Sequence, residues 1–276
     1  MNLSPAHQER MDAVAELCEV TAMTMNSIAK LDHREPGRQI GEIDAQLGKG
    51  MMEDPLLTSH RLSRFYLLGA GDFLFSIGKL LELPEPMVAS PGVLARASSE
   101  YSARAWFLSD IKDSPLKRVA KMWEFMHTGM MEERIGKSPF STDHEKEFAR
   151  SLGDWRSSTE LPKIKGANNF KQLVGKLAPH DGEENHDRLS QIVHGNALTA
   201  SLMNLSAQMG TSYNVEQCTG HALFATECGL VAAARVCEIR DGDPSDIRTC
   251  SKAFEAITGI APGEAGPDAH IETVDH

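Results

Sequence analysis

The chain has 276 residues and carries 39 acidic against 28 basic side chains, which leaves a formal net charge of −11. This length has room for one large domain or two small ones, and a composition that is 41% hydrophobic and 24% charged excludes wholesale disorder. The acidic balance argues against a protein that coats nucleic acid without regard to sequence, because such binding depends on neutralising many phosphates.

Aromatic residues make up only 6% of the chain, while Ala, Leu and Met recur throughout. This mixture favours helices over a β-sandwich or a barrel. Apolar residues at helical spacing predict an all-α helical bundle of roughly seven to nine helices. In chain order the predicted helices cover approximately 5–30, 58–83, 90–110, 115–134, a stretch from about 142, a short piece within 160–182, then 183–208, 215–240 and 244–259.

Local signals predict where several of these helices begin. Ser90 and Ser114 each precede a proline and are predicted to cap the helix that follows. Thr142 and Glu145 have the spacing of a capping box. The segment 33–50, rich in Gly and charge, is predicted to be an exposed connection. Three glycines of the second helix are predicted to allow close helix packing: Gly69, Gly71 and Gly78.

We expect one all-α domain over 1–260, followed by a disordered acidic tail over 261–276. The weak helical pattern near 160–182 leaves open a soft junction within that domain. The polar start of the chain is unlike a signal peptide, and the most apolar stretch, 65–81, carries two charges and is therefore predicted to be a buried helix and not a membrane span. The odd number of cysteines, five, and the lack of a CxxC pair indicate reduced thiols and a cytoplasmic protein.

The strongest chemical signal is the segment DRLSQIVHGN, in which Arg188 and His194 are separated by five residues. On a helix, Leu189, Ile192 and Val193 form an apolar stripe. A polar stripe runs along another face at helical spacing and consists of Asp187, Ser190, Gln191 and His194. His194 is therefore expected to face away from the helix's own hydrophobic contact.

Six helical steps place Arg188 and His194 roughly 120° apart around the axis, so the two side chains cannot point straight at one ligand from a straight helix. Two arrangements remain. Arg188 could lie at a frayed helix start and curl around, or a two-fold dimer could bring the Arg of one chain to the His of the other. The geometry favours the dimer.

A second charged pattern lies on the predicted helix over 90–110. Arg96, Glu100 and Arg104 fall at i, i+4 and i+8, which forms one charged line, and the flanking positions are largely apolar. Such a line is most often a structural ladder of ion pairs. The other reading is that a partly enclosed Arg–Glu–Arg row keeps guanidinium donors available for an anion such as phosphate.

The segment from Asp187 to Gly195 resembles the R-x4-6-H motif of the HEPN superfamily, a group of all-α domains that includes many ribonucleases. Its LSxxxHG sequence is also similar to a motif in a set of uncharacterised bacterial helical proteins with HEPN-like features. In those proteins an upstream R-x3-E-x3-R-x-W helix recurs, and this chain has that pattern from Arg96 to Trp106. One position departs from the nuclease members, since Leu189 stands where a polar residue often follows the Arg.

The resemblance implies a homodimer joined through the motif helix and a metal-independent endoribonuclease that requires no cofactor. Arg188 would hold the scissile phosphate, and His194 would act as general acid or base, giving a 2′,3′-cyclic phosphate end. Asp187, Ser190 and Gln191 are supporting candidates, with Arg96, Glu100 and Arg104 on the other helix bracing His194 or the motif Arg. By analogy the protein would be a toxin or defence effector acting on RNA, restrained by an antitoxin-like regulator of unknown identity.

Two other functions stay open at this stage. The first is a catalytically inert helical protein that binds RNA or serves as a scaffold, with the motif helix as a dimer interface. The second is a di-metal carboxylate enzyme, since ferritin-like bundles use Glu-x-x-His pairs of the kind seen at Glu124/His127 and Glu183/His186. Cys218 and His221 lack a second pair at zinc spacing and are expected to be packing residues.

Overall fold

The computed structural model describes residues 3–133, 135, 141–167, 169–209 and 211–263, and within them the protein is helical with no β-strand. This confirms the predicted all-α class. Eleven helices lie in the described residues: α1 Pro5–Ala29, α2 Ile40–Leu47, α3 Pro55–Leu81, α4 Ala89–Leu108, α5 Pro115–Glu132, α6 Asp143–Ser158, α7 Phe170–Leu177, α8 Gly182–Val193, α9 Ala197–Met209, α10 Thr211–Ile239 and α11 Ser245–Thr258.

The count exceeds the predicted seven to nine because of two local features. The predicted exposed connection contains α2, whose Asp44 is buried and accepts hydrogen bonds from the backbone N–H groups of Leu56 (2.6 Å) and Leu57 (3.2 Å). Asp44 therefore caps the start of α3 from a neighbouring helix. The predicted helix over 183–208 is two helices, α8 and α9, which are separated at 194–196.

Most predicted caps are present. The Ser114 hydroxyl accepts from the Lys117 N–H, with Pro115 at the first helical position. Thr142 and Glu145 form the predicted capping box. The predicted cap at Ser90 is wrong, because α4 begins at Ala89 and Ser90 lies inside its first turn. A local pattern therefore placed two of these three helix starts correctly.

The main core joins the four long helices α1, α3, α4 and α10. The predicted close packing at the glycines of α3 is confirmed at Gly78, where a Cβ atom would lie 3.1 Å from the backbone oxygen of Ala15, and at Gly69, where it would lie 2.6 Å from the Tyr101 ring. These contacts allow α1 and α4 to approach α3 closely. The resulting framework positions α8 against the outer face of α4.

A second hydrophobic cluster forms around α2, α5 and α6. Trp155 is buried there and donates its indole N–H to the Leu47 carbonyl (3.0 Å). Tyr66, Phe107 and Phe170 pack against both clusters, so the two hydrophobic regions meet through shared aromatic side chains.

A network of charged groups is buried at one end of the core. Arg118 donates hydrogen bonds to the Glu35 carboxylate from Nε (3.1 Å) and Nη2, and His60 Nε2 lies 3.1 Å from the same carboxylate. Burial alone would raise the pKa of Glu35, but the hydrogen bonds from His60 and Arg118 outweigh it and lower that pKa below its ordinary value. Glu35 is therefore held as a carboxylate inside the protein.

The predicted tail over 261–276 lies mostly outside the described residues, which end at Gly263 in this part of the chain. Residues 261–263 are partly buried, and the Gly263 N–H donates to Glu227 Oε1 (3.1 Å). No helix within the described ranges is both long and apolar enough to cross a membrane.

Candidate functional site

The motif helix α8 packs through its apolar stripe and turns its polar stripe outward. Leu189 is buried and Ile192 packs against the main core, while Val193 is largely exposed. On the polar stripe, Asp187, Gln191 and His194 are exposed and Ser190 is half-buried. The face that carries the predicted site residues is therefore open to solvent.

His194 stands at the end of α8, where the helix stops. Its N–H donates to the Ser190 carbonyl (3.0 Å), and Gly195 then takes a left-handed conformation at φ +61°. The Asn196 side chain accepts from the N–H groups of Leu198 (3.0 Å) and Thr199 (3.2 Å) and so caps α9. The Gly-Asn pair ends one helix and starts the next, which leaves the His194 imidazole on an exposed corner.

Arg188 is also exposed, but its guanidinium is directed elsewhere. Nη2 donates to Asn185 Oδ1 (2.9 Å), and Arg188 lines a pocket of about 240 Å³ formed by α8, α10 and α11. His194 is not among the residues that line this pocket. Within one chain the side chains of Arg188 and His194 thus lie on different surfaces, as their angular separation predicts.

The residues expected to support the imidazole have other partners. Asp187 forms an ion pair with Lys171 of α7 (2.5 Å), and the Ser190 hydroxyl donates to the His186 carbonyl one turn earlier (2.8 Å). Gln191 is exposed beside them. Asp187 and Ser190 therefore stabilise α8 and its contact with α7 in the single chain.

Helices α4 and α8 run antiparallel and meet through a carboxylate–imidazole contact. Gly92 at the start of α4 lies against Ile192 at the end of α8, while Glu100 Oε1 lies 3.2 Å from His186 Nε2. The Arg96 Nε donates to the same Glu100 oxygen (3.1 Å). Arg96 and Glu100 of the line predicted along α4 thus brace His186, which the sequence suggested only as a di-metal ligand, and not His194.

The charge state of this contact follows from its neighbours. Burial alone would raise the pKa of Glu100, but the hydrogen bond from His186 and the charges of Arg96 and Arg104 outweigh it and lower that pKa. Glu100 is therefore a carboxylate at neutral pH and can only accept, so His186 Nε2 donates the proton in this bond. The other ring nitrogen of His186 is buried with no hydrogen-bond partner among the described residues.

Arg104 does not join this cluster. Its guanidinium lies over the Phe170 ring, 4.0 Å from the centroid, and within 5.6 Å of the Tyr66 and Tyr101 centroids. Cation–π contacts of this kind fix the guanidinium against aromatic faces. The predicted three-residue row is therefore a pair, Arg96–Glu100, followed by a separate Arg–aromatic cluster.

A solvent-open cleft of about 580 Å³ lies beside the Glu100–His186 contact. Its polar lining includes Arg96 and Lys171 in addition to that contact, and a second carboxylate, that of Glu124. Both cations are paired with carboxylates, Arg96 with Glu100 and Lys171 with Asp187, so the cleft has a polar lining of mixed charge. We refer to this space as the α4–α8 cleft.

The residues of the di-metal hypothesis do not converge in the described part of the chain. His127 stacks on Trp123 (5.7 Å between ring centroids), while Glu183 lies against Gly175 of α7. No three His, Cys, Asp or Glu side chains among the described residues lie close enough together to hold a metal ion. Cys218 and His221 are both buried in the main core region, which agrees with their expected packing role.

The pocket beside Arg188 contains a carboxyl group with a displaced pKa. Burial, helped by the nearby charge of Asp181, raises the pKa of Glu227 from 4.5 to about 7, although the Gly263 N–H opposes this shift. Since the folded pKa lies above the unfolded one, this group stabilises the fold below about pH 5 and loses that contribution as the pH rises through 7.

We therefore expect Glu227→Gln to gain stability over the native protein as the pH is raised from about 5 to 8, because Gln cannot ionise. Urea unfolding midpoints at the two pH values measure this difference. Glu216→Gln, at an exposed position of the same helix, is the matched control and should show no such trend. A Glu227→Gln midpoint that follows the native protein at both pH values would contradict the assignment.

Comparison with protein-family models, with curated proteins and with solved structures gave no match. The resemblance to HEPN domains therefore stays a prediction that depends on the motif residues of α4 and α8.

Proposed function

We propose that the protein is a metal-independent endoribonuclease of HEPN type that acts as a homodimer in the cytoplasm. The observation that carries this proposal is the position of His194, exposed at the end of α8 and next to a helix with an exposed apolar face. That face belongs to α9 and consists of Leu198, Leu202 and Leu205, whose exposed fractions are 69%, 56% and 55%. Leucines at this spacing share one side of a helix.

An exposed apolar face of this kind favours association with another protein surface. If a second copy covers α9, a two-fold axis runs close to the end of α8. The His194 of one chain then approaches the α8 of its partner, which supplies Arg188. This supports the composite site that the 120° separation of the two residues favours.

In the proposed reaction a ribose 2′-hydroxyl attacks the adjacent phosphorus. His194 in its neutral form accepts the hydroxyl proton while the new bond between the 2′-oxygen and phosphorus forms. The bond from phosphorus to the 5′-oxygen breaks, and that oxygen takes up a proton from solvent water as it leaves. Arg188 stabilises the negative charge that develops on the phosphate oxygens. The products are a 2′,3′-cyclic phosphate and a 5′-hydroxyl.

Purified protein incubated with total RNA in EDTA tests this proposal. We expect cleavage that leaves 2′,3′-cyclic phosphate ends, and we expect Arg188→Ala to lose cleavage while it keeps the native oligomeric mass. Arg248→Ala, an exposed arginine on α11, is the matched control and should cleave normally. RNA that stays intact with the native protein, together with an altered mass for Arg188→Ala, would instead favour the inert scaffold.

A toxin or defence role, with a regulator that restrains it, follows from the family analogy alone. Expression of the native chain and of an inactive variant in a bacterial host would show whether the cleavage activity arrests growth.

A further inference from the structure

A basic groove lies between the end of α4, the start of α5, α7, α10 and the segment 163–165. It has a volume of about 250 Å³, and a single carboxylate, that of Asp110, is among its lining residues. Six cationic side chains line it: Lys117, Lys121, Lys163, Lys165, Lys176 and Arg235. In a chain with a net charge of −11, this is a local reversal of sign.

Half of these cations have carboxylate partners in the fold. Arg235 pairs with Asp110 (3.5 Å) and lies over the Trp106 ring, 3.8 Å from its centroid. Lys117 and Lys121 both pair with the buried Asp113. These contacts hold one wall of the groove in place, and because they set two carboxylates against three cations, the other three lysines carry most but not all of the groove's net positive charge.

Lys163, Lys165 and Lys176 are exposed, and none of them forms an ion pair with a described residue. Two of the three, Lys163 and Lys165, lie on the non-helical segment that precedes α7. Unpaired ammonium groups in a groove create a positive potential that attracts anions. The three lysines therefore leave the groove with an excess of positive charge that an anionic ligand would balance.

The groove is continuous with the α4–α8 cleft. Ile164 lines both spaces, and the chain that follows it supplies Lys171 to the cleft, opposite Arg96. From there α8 extends from the buried His186 to the exposed His194, which is eight residues or about 12 Å along the helix axis. Ile164 thus places the basic groove next to the cleft, and α8 connects the cleft to the proposed reactive histidine.

We infer that the basic groove binds the phosphate backbone of single-stranded RNA and leads it through the α4–α8 cleft toward the end of α8. Spaced lysines act as point charges for a chain of phosphates, whereas recognition of a single carboxylate favours paired arginine donors. Positively charged grooves with neighbouring aromatic residues are typical of surfaces that follow a single strand. The direction of the strand rests on the proposed function, while the binding itself does not.

Fluorescence anisotropy with a labelled oligouridine tests this inference. We expect Lys163→Glu/Lys165→Glu to bind at least about tenfold more weakly than the native protein at low salt, because two phosphate contacts become repulsive. The slope of log affinity against log salt concentration should fall by about 1.4, which is 0.7 for each lost contact. Circular dichroism confirms that the exposed substitutions leave the helices intact.

Arg248→Glu/Lys252→Glu on α11 is the matched control, because it changes the net charge by the same amount at two exposed cations outside the groove. This variant should retain the native affinity and slope. If both variants bind oligouridine equally weakly, the effect comes from overall charge and the inference is overturned. Native affinity in the Lys163/Lys165 variant would also overturn it. A groove that binds an acidic polyglutamate as tightly as oligouridine, with the same salt slope, would also overturn it in favour of a peptide partner.

Different results contradict the two proposals. If His194→Ala binds oligouridine normally and the native protein never cleaves RNA, the ribonuclease proposal is contradicted and RNA binding by the basic groove is still supported. If the native protein cleaves RNA and the Lys163/Lys165 variant cleaves and binds it equally well, RNA binding by the basic groove is contradicted and the ribonuclease proposal is still supported.

Discussion

Replacing His194 with alanine lowers the rate of RNA cleavage by a factor of about a hundred to ten thousand, the range that a positioned general acid or base contributes. The expectation follows from the site, since the imidazole is exposed at the end of α8 and makes no hydrogen bond through its side chain to a described residue. The loss should therefore occur without loss of the fold. Initial cleavage rates of a labelled RNA, with helical circular dichroism measured on the same samples, test it.

His144→Ala is the matched control for this variant, because His144 is exposed on α6 and lies outside both the cleft and the motif helix. It should cleave at the native rate. Cleavage that persists in His194→Ala would remove this residue from the mechanism.

A mixing experiment separates a composite site from a site within one chain. His194→Ala and Arg188→Ala are each inactive alone, but a mixed dimer holds one site with both residues intact if the two come from different chains. Random exchange would then restore about a quarter of the native activity, since half of the dimers are mixed and each has one good site out of two. No recovery after demonstrated subunit exchange would contradict the composite arrangement.

Replacing Arg118 with methionine destabilises the fold by about 3–5 kcal/mol, the range measured when one partner of a buried ion pair is removed. Arg118 is 2% exposed, and its guanidinium holds Glu35 and the Asp110 carbonyl, so its loss leaves a buried carboxylate with only His60 as a partner. The free energy of urea unfolding measures the change.

The exposed pair of Arg34 and Asp241 (3.0 Å) provides the control, and Arg34→Met should change the unfolding free energy by at most about 1 kcal/mol. Arg118→Met combined with Glu35→Gln should recover part of the loss, because the uncompensated charge is gone. A double variant that is no more stable than Arg118→Met would show that the charge is not the cause.

The helical class and many helix ends were predictable because their causes are local. Ser114 and Thr142 cap the helices that follow them through side-chain contacts within three residues, which a sequence window contains. The missed helix α2 has its cause elsewhere, since buried Asp44 is bonded to the first turn of α3. A short, glycine-flanked and charged segment gives no such signal by itself.

The same distinction between local and long-range causes applies to the candidate site. The outward direction of the α8 polar stripe follows from helical spacing and was predictable. The contact of His186 with Glu100 joins residues 86 positions apart, and the pairing of Asp187 with Lys171 joins α8 to α7, so neither follows from local spacing. The one missed signal lay in the sequence, since His186, Ser190 and His194 recur at four-residue steps along one side of α8.

All five cysteines are buried, and burial raises the pKa of the Cys18 thiol to about 12 and that of Cys218 to about 11. Because the thiolate is the reactive form, these groups are poor targets for maleimide reagents at neutral pH. A thiol introduced by Gln191→Cys on the exposed side of α8 would consequently accept a spin label selectively, with the native cysteines left in place. Dipolar spectroscopy on such a sample would read the spacing between the motif helices of two associated copies directly.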